Sequence, residues 1–385
     1  MICYCTNIWN HHQGPVCQEL ARLYGNEFRM ILHQPLDSPN SIERMQMGWS
    51  IRPPKESWII EPPEHCASAD YSEHRRMALA SDVLVMDSVA PYLTQGMLVD
   101  RHKKGKINIQ LGERFFKSGR PWYYALWPRK WVGRWVMRHR LESAHIHFFT
   151  MGHWCASDLK YLGACKGRTW RWGYLTNVSD RPTDKPMRGK VRVGWCGRFL
   201  CCKNVCDILT ATSLLEDEAK KRIEVVIVGD GPEKENLTSL AHRLGLDGIV
   251  AFRPFLPQKD ALAFMESVDI YPFPSNRFEG WGATLLEAMD KSCVVVANEA
   301  AGATLEVVQN GKNGFAYKDG DIARLAECMG WLIEHEKERR EMGFRAWRTI
   351  QDWSPCVGAL RLKNLVDRHM IPNASYVNGL CRLVR

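Results

Sequence analysis

From Val191 onward, apolar runs of four or five residues alternate with stretches whose apolar positions recur every three or four residues. Runs such as Val191–Trp195, Glu224–Val228, Ile249–Phe252, Asp269–Pro272 and Cys293–Ala297 predict buried strands. Between them, Asn204–Leu215, Lys234–Leu244, Asp260–Ser267 and Ala283–Met289 carry the helical period, and Gly229-Asp230-Gly231-Pro232 marks a tight turn. Repeated strand–helix alternation predicts a parallel sheet with helices on both faces. Ligands of such sheets lie beyond the carboxyl ends of the strands, where every one of these loops falls. The first half is fainter. Met1–Cys5, Phe28–His33, Val83–Met86, Ile107–Ile109 and His145–Thr150 read as strands at α/β spacing, and Val16–Tyr24 as a helix. A polar, proline-containing stretch, Thr183–Lys190, reads as an interdomain linker.

Composition narrows the class. At 385 residues the chain is long for a single core and fits two domains of similar size. With 45% hydrophobic and 25% charged residues it is globular, neither fibrous nor disordered. A net charge of +9 points to an acidic partner: a nucleotide, a nucleic acid or an anionic membrane. No apolar run reaches the length of a membrane-spanning helix. The N-terminus Met1–Asn7 reads as the first strand rather than a secretion leader, so the expected location is cytoplasmic and the fourteen cysteines are expected reduced. Neither Cys201-Cys202 nor His11-His12 has metal-ligand spacing, and no metal site is expected.

Four constellations carry candidate chemistry. In Glu279-Gly280-Trp281-Gly282-Ala283, two glycines allow close backbone approach at a helix start, whose amides and dipole suit a diphosphate. Glu287 lies eight residues after Glu279, roughly 12 Å along a helix axis, a span suited to two hydroxyl-bearing ends of one ligand. The bland alternative is a capped helix with one acid in its first turn. Gly197, Arg198 and Lys203 follow a strand, where fixed cations can neutralise a departing diphosphate; most exposed basic residues are merely solvated. The small-residue loop Asn298–Glu306 suits phosphate or sugar contact, or is an ordinary turn. Near the start, His11, His12 and Gly14 sit between the first strand and first helix, as acceptor or diphosphate contacts or plain loop residues.

Together these residues resemble the family-4 retaining glycosyltransferases of the GT-B fold. Glu279 and Glu287 match the family's Glu-x7-Glu motif; Gly197, Arg198 and Lys203 its Gly-Arg-x4-Lys element; and Val228–Pro232 its Val-Gly-Asp-Gly-Pro turn. Gly302–Glu306 and Asn310–Gly314 match two later elements, so the likeness is dense over about 190–345. Phe149–Leu175, with Cys155–Asp158 and Trp172-Gly173-Tyr174, is similar to the bacterial polysaccharide-type members. Two positions depart: Ser292-Cys293-Val294 stands where Gly-x-Pro is common, and Asp87 where a histidine often follows a first-half strand.

The resemblance implies an α/β chain of two Rossmann-like domains facing each other across a cleft. Residues 1–182 would bind the acceptor, 190–350 the nucleotide sugar, and 351–385 would form a helical segment crossing back to the first domain. Arg198 and Lys203 would hold the diphosphate, Glu279 the donor sugar and Glu287 the ribose. Gly197, Gly280, Trp281, Gly282 and Ala283 would line the donor site, with Phe255 by the base. His11, His12, Gly14 and Asp87 would face the acceptor. Transfer would retain the anomeric configuration and need neither metal nor cofactor, with the nucleotide-diphosphate sugar as co-substrate and a glycan or lipid-linked acceptor as partner.

Between Arg114 and Arg140 lie many cations, no acid, and the rings of Phe115, Phe116, Trp122, Tyr123, Tyr124, Trp127, Trp131 and Trp135. This composition suits peripheral contact with an anionic membrane face, against the alternative that the rings are core. It also describes a nucleic-acid binder, but no nucleic-acid-binding motif accompanies it and no nucleic-acid partner is expected. A nucleotide-sugar epimerase or a phosphorylase is the competing enzyme on the same fold. The sequence spells neither donor sugar, base, acceptor nor oligomeric state.

Overall fold

The computed structural model describes residues 1–46, 51–88, 90–116, 129–372 and 379–384, apart from the side chains of Ala67, Arg129, Lys130 and Trp131. The chain forms two compact units, residues 1–177 with 353–385, and residues 178–352.

The first unit is built on seven strands. They are β1 (Ile2–Thr6), β2 (Phe28–Leu32), β3 (Ile59–Ile60), β4 (Val83–Met86), β5 (Ile107–Gly112), β6 (His147–Met151) and β7 (Thr169–Trp172). Every pairing between them is parallel, in the order β3-β2-β1-β4-β5-β6-β7. The intervening helices are α1 (Gly14–Tyr24), α2 (Pro39–Gln46), α3 (Ser72–Ala80), α4 (Gln95–Lys103), α5 (Arg129–Ser143) and α6 (His153–Leu162). Cys3, Cys5, Leu84, Phe148, Cys155 and Cys165 belong to one buried cluster, and all fourteen cysteines are free thiols. The buried cysteines of this unit act as small apolar core residues, whereas Cys66 and Cys356 are exposed. In this unit two strands escape the sequence reading: β3 is two residues long, and β7 is a Thr-Trp-Arg-Trp run.

The second unit has six parallel strands: β8 (Val191–Arg198), β9 (Ile223–Asp230), β10 (Val250–Arg253), β11 (Ile270–Phe273), β12 (Val294–Asn298) and β13 (Gly314–Tyr317). Their order is β10-β9-β8-β11-β12-β13. Around them lie α7 (Val205–Ser213), α8 (Asp217–Lys221), α9 (Lys234–Arg243), α10 (Gln258–Glu266), α11 (Ala283–Asp290), α12 (Thr304–Val307), α13 (Ile322–Glu334) and α14 (Glu336–Gln351). Strands β11 and β12 are buried along their whole length, as strands covered on both faces must be. Helix α15 (Pro355–Asp367) follows and packs on α1 of the first unit.

Each sheet reverses direction once. The chain runs outward from β1 to β3 and returns to β4 on the other side of β1; it does the same from β8 to β10 and back to β11. The carboxyl edge between β1 and β4, and that between β8 and β11, are therefore the two crevices where the topology favours a ligand.

The polar stretch expected as a linker is instead fastened to the second unit. Thr183 N donates to Ser292 Oγ at 3.0 Å, Lys185 Nζ to the carbonyls of Met265 and Glu266 at 3.1 and 3.3 Å, and Arg188 to the Ser267 carbonyl. Thr183, Lys185 and Arg188 thus serve the strand-entry turns, while Asp184 and Lys190 stay exposed.

Candidate active site

The two loops that flank the β8/β11 crevice are stitched together by hydrogen bonds and an ion pair. β8 ends with Gly197 and Arg198, and the chain then makes one tight turn at Cys201–Lys203 and enters α7. After β11 it reaches Asn276, whose amide donates to the Cys202 carbonyl at 3.0 Å and whose side chain donates to Asn204 at 3.3 Å. Asn276 then accepts from Phe278 N at its side chain and from Glu279 N at its carbonyl, 3.1 and 2.9 Å. Those bonds aim Glu279 back across the crevice, where its Oε2 accepts from Lys203 Nζ. Two residues 76 positions apart, both expected in the chemistry, thus form one ion pair. Arg198, the last residue of β8, is exposed on the same edge, in register with Asp230 of β9.

Gly280, Trp281 and Gly282 lead into α11. Gly282 has φ +100°, and a β carbon there would lie 2.5 Å from the Phe273 ring. Trp281 is wholly buried, whereas Ala283 is half-buried at the helix start. The small-residue loop closes over them: Gly302 N donates to the Glu279 carbonyl at 3.3 Å and Ala303 N to the Trp281 carbonyl at 3.0 Å. Glycine is required at 302, because a β carbon there would overlap the Gly280 carbonyl.

Glu287, two turns into α11, is buried with 8% exposure. Burial pushes its carboxyl up to about 7, against the opposing pull of a Gln258 hydrogen bond; Asp290 adds to the rise and Lys291 opposes it. Asp290 is occupied by the amide and hydroxyl of Ser179, each at 2.7 Å. Phe255, in the loop after β10, is exposed at 45%.

Two residues of this edge were not singled out from the sequence. Tyr271 in β11 is fully buried; its hydroxyl donates to the Cys196 carbonyl at 3.1 Å and so ties β11 to β8. Asn276 is the hub described above. Only the proximity of Asn276 to the glycine motif marked it in the sequence.

In the first unit, Asp87 follows β4 at the β1/β4 crevice. Its amide donates to the Cys5 carbonyl at 2.9 Å, and Thr6 Oγ1 donates to its Oδ2 at 2.7 Å. Burial raises its carboxyl to about 6. His11 and His12 have rings 3.8 Å apart, and His12 stacks on Tyr174 at 4.9 Å. Tyr174 donates to Glu113 at 2.8 Å. Burial lowers both imidazoles, His11 to about 4, which keeps them neutral at pH 7. Asn10 Oδ1 accepts from the amides of His12 and Gln13 at 2.9 and 3.0 Å, so those amides are engaged within the loop. Gly14 packs under Trp9, whose ring would stand 2.7 Å from a β carbon.

Of the basic aromatic stretch, Trp122, Tyr123, Tyr124 and Trp127 lie outside the described residues, as do the side chains of Arg129, Lys130 and Trp131. On α5, Val132 and Trp135 are exposed at 58% and 63%, and Arg134 lies 4.7 Å over the Tyr161 ring. Among the described residues no helix is long and apolar enough to cross a membrane, and no His/Cys/Asp/Glu group is arranged for a metal ion.

Residues 184–348 match the family profile described as glycosyl transferases group 1. An uncharacterized glycosyltransferase of Methanocaldococcus jannaschii is 30% identical over 173 residues, 45% of this chain and 44% of that protein. The lipopolysaccharide core biosynthesis glycosyltransferase LpsE of Rhizobium meliloti is 27% identical over 171 residues, 44% of this chain and 46% of that one. The chain therefore spans a little under half the length of these relatives. Among solved structures, Anabaena HepE in complex with UDP superposes with TM-score 0.67 at 16% identity, over 95% of this chain and 99% of that one. The apo form of the lipopolysaccharide outer core galactosyltransferase WaaB gives TM-score 0.67 at 14% identity, over 96% and 99%. These two likenesses are of fold, and the fold is the GT-B arrangement of two parallel-sheet units. Through residues 184–348 of its second unit, the chain is similar to the group 1 glycosyl transferases.

Proposed function

We propose that the protein is a retaining glycosyltransferase that moves a sugar from a nucleotide-diphosphate sugar to a glycan or lipid-linked acceptor in cell-surface polysaccharide synthesis. One observation carries this reading: the Lys203–Glu279 pair stands at the β8/β11 crevice, beside Arg198 and at the approach to α11. A donor diphosphate laid across the start of α11 meets backbone amides and two permanent cations. Negative charge grows on that diphosphate as the glycosidic bond breaks, and Arg198 and Lys203 stabilise it more strongly in the transition state than in the ground state. Glu279, held by Lys203, accepts hydroxyls of the donor sugar. Glu287 accepts the ribose hydroxyls, and Phe255 flanks the base. The leaving phosphate oxygen takes the proton of the acceptor hydroxyl on the same face of the sugar, which retains the configuration. Arg198 and Lys203 do the work a divalent ion would do, so no metal is needed.

The names of relatives in lipopolysaccharide core and capsular polysaccharide biosynthesis support the acceptor class. The UDP held by a structural neighbour supports a uridine donor. We assign the acceptor to the β1/β4 crevice around Asp87, His12 and Tyr174, and the exposed face of α5 to an anionic membrane surface at the cytoplasmic side. A thermal-shift screen of UDP- and GDP-sugars, followed by mass spectrometry of products with candidate acceptors, tests the reading. It predicts stabilisation by one nucleotide sugar and an acceptor heavier by one sugar residue; stabilisation by none of them counts against it.

A further inference from the structure

A cavity of about 230 Å³ opens at the opposite edge of the second unit's sheet, by the amino ends of β11 and β12. Its walls include Arg339, Arg340 and Phe344 of α14, Asp269 ahead of β11, and Asp184 and Lys185 of the fastened segment. Arg339 is the unusual member. It has only 8% exposure, and arginine is seldom buried so far without a partner anion. Its Nη1 donates to the carbonyls of Leu332 and Ile333 at the end of α13, but no carboxylate lies within 4.0 Å of it among the described residues. Its Nε and Nη2 have no hydrogen-bond partner among the described residues. The nearby acid, Asp269, is already bonded to the Arg192 amide at 2.8 Å and paired with Arg188 at 4.0 Å. Arg340 adds a second guanidinium, shared with Glu336 at 3.0 Å. Lys185 is held by the carbonyls of Met265 and Glu266, so its charge is fixed in the wall.

A guanidinium with a fork of donors left over, in a pocket with a second guanidinium, has the geometry that grips a tetrahedral oxyanion by paired hydrogen bonds. The volume equals roughly eight waters of liquid, enough for a phosphate and a short polyol. We propose that this cavity binds a small phosphate-bearing metabolite. Its phosphate accepts from Arg339 and Arg340, and its hydroxyls donate to Asp184 and Asp269. Because the site stands on the other edge from Lys203 and Glu279, it is independent of the transfer reaction proposed above. A ligand there bridges α14 to the 182–185 segment.

Isothermal titration of the full chain with glycerol 3-phosphate, inorganic phosphate and glycerol tests this. Glycerol 3-phosphate should bind saturably at one site per chain, and glycerol should not bind. Inorganic phosphate binding as tightly as the ester would overturn the metabolite and leave a bare oxyanion site. Arg339→Lys and Arg340→Gln should each weaken binding at least about tenfold, as loss of a charge-assisted pair does, while Lys203→Ala leaves it unchanged. Arg340 is partly exposed, so its variant keeps the test open should Arg339→Lys fail to fold. No binding by the wild type, or loss in Lys203→Ala with retention in Arg340→Gln, would overturn the proposal.

Discussion

A β carbon on Gly302 would stand 1.8 Å from the carbonyl oxygen of Gly280. That single approach holds two loops of the active-site edge in place, since Gly302 N also donates to the Glu279 carbonyl. Gly302→Ala must therefore push the loops apart. An overpacked contact of this kind costs about 1–3 kcal/mol. Calorimetry should show a lower melting temperature, and turnover should fall because Glu279 shifts with its carbonyl. An unchanged melting temperature would mean that the loops are not locked together.

The Lys203–Glu279 pair is partly buried, with side-chain exposures of 21% and 15%. Removing either member leaves the other charge poorly solvated and badly placed. Lys203→Ala and Glu279→Ala should each lower turnover at least about a hundredfold, the usual cost of one charge-stabilising group. The double variant should be much less impaired than the product of the two single effects. Strict multiplication of the two would show that they act apart, against the mechanism.

Most of the second unit was legible because β8, β9, β11 and β12 are largely buried, while β13, buried only at its two ends, escaped. Runs such as Val225–Val228 and Val294–Ala297 cannot be mistaken when nothing polar interrupts them. In the first unit, β3 is too short to show a period, and the arginine in β7 breaks the apolar run. The 183–190 segment misled through composition, since its polar groups serve carbonyls and hydroxyls some 80 to 110 positions away. At the site, Glu279, Glu287 and the glycines stood out by spacing. Tyr271 did not, because its role depends on Cys196, 75 positions earlier, and a tyrosine in a strand is ordinary.

Glu287 sets a pH dependence. Burial raises its carboxyl from 4.5 to about 7, so the neutral form is favoured in the fold. Its contribution to stability is full below pH 4.5 and lost as pH rises through about 7. Ribose hydroxyls bond a carboxylate more strongly than a carboxylic acid. Donor affinity should therefore strengthen as pH rises through about 7 in the wild type. Glu287→Ala should weaken donor binding and flatten that profile, with a smaller effect on turnover. Wild-type donor affinity in Glu287→Ala would remove the ribose assignment.

Helix α5 presents Val132 and Trp135 to solvent, on the same helix as Arg134 and Arg138. Cations near an anionic surface contribute about 1 kcal/mol each, enough for reversible attachment. The protein should sediment with anionic vesicles at low salt and come off at high salt. Replacing Arg129, Lys130, Arg134 and Arg138 with Gln should abolish sedimentation and spare activity on a soluble acceptor. A wild type that ignores anionic vesicles at low salt would leave these residues no membrane role.

In the proposed reaction, Arg198 and Lys203 drive transfer from a nucleotide-diphosphate sugar to an acceptor. The most direct measurement is nucleoside diphosphate release in EDTA, with the donor found by thermal shift, before and after addition of an acceptor glycan. Release should begin only once the acceptor is present, undiminished by EDTA, and fall at least about a hundredfold in Arg198→Ala and Lys203→Ala. Near wild-type release in both variants, or a strict need for added magnesium or manganese, would contradict it.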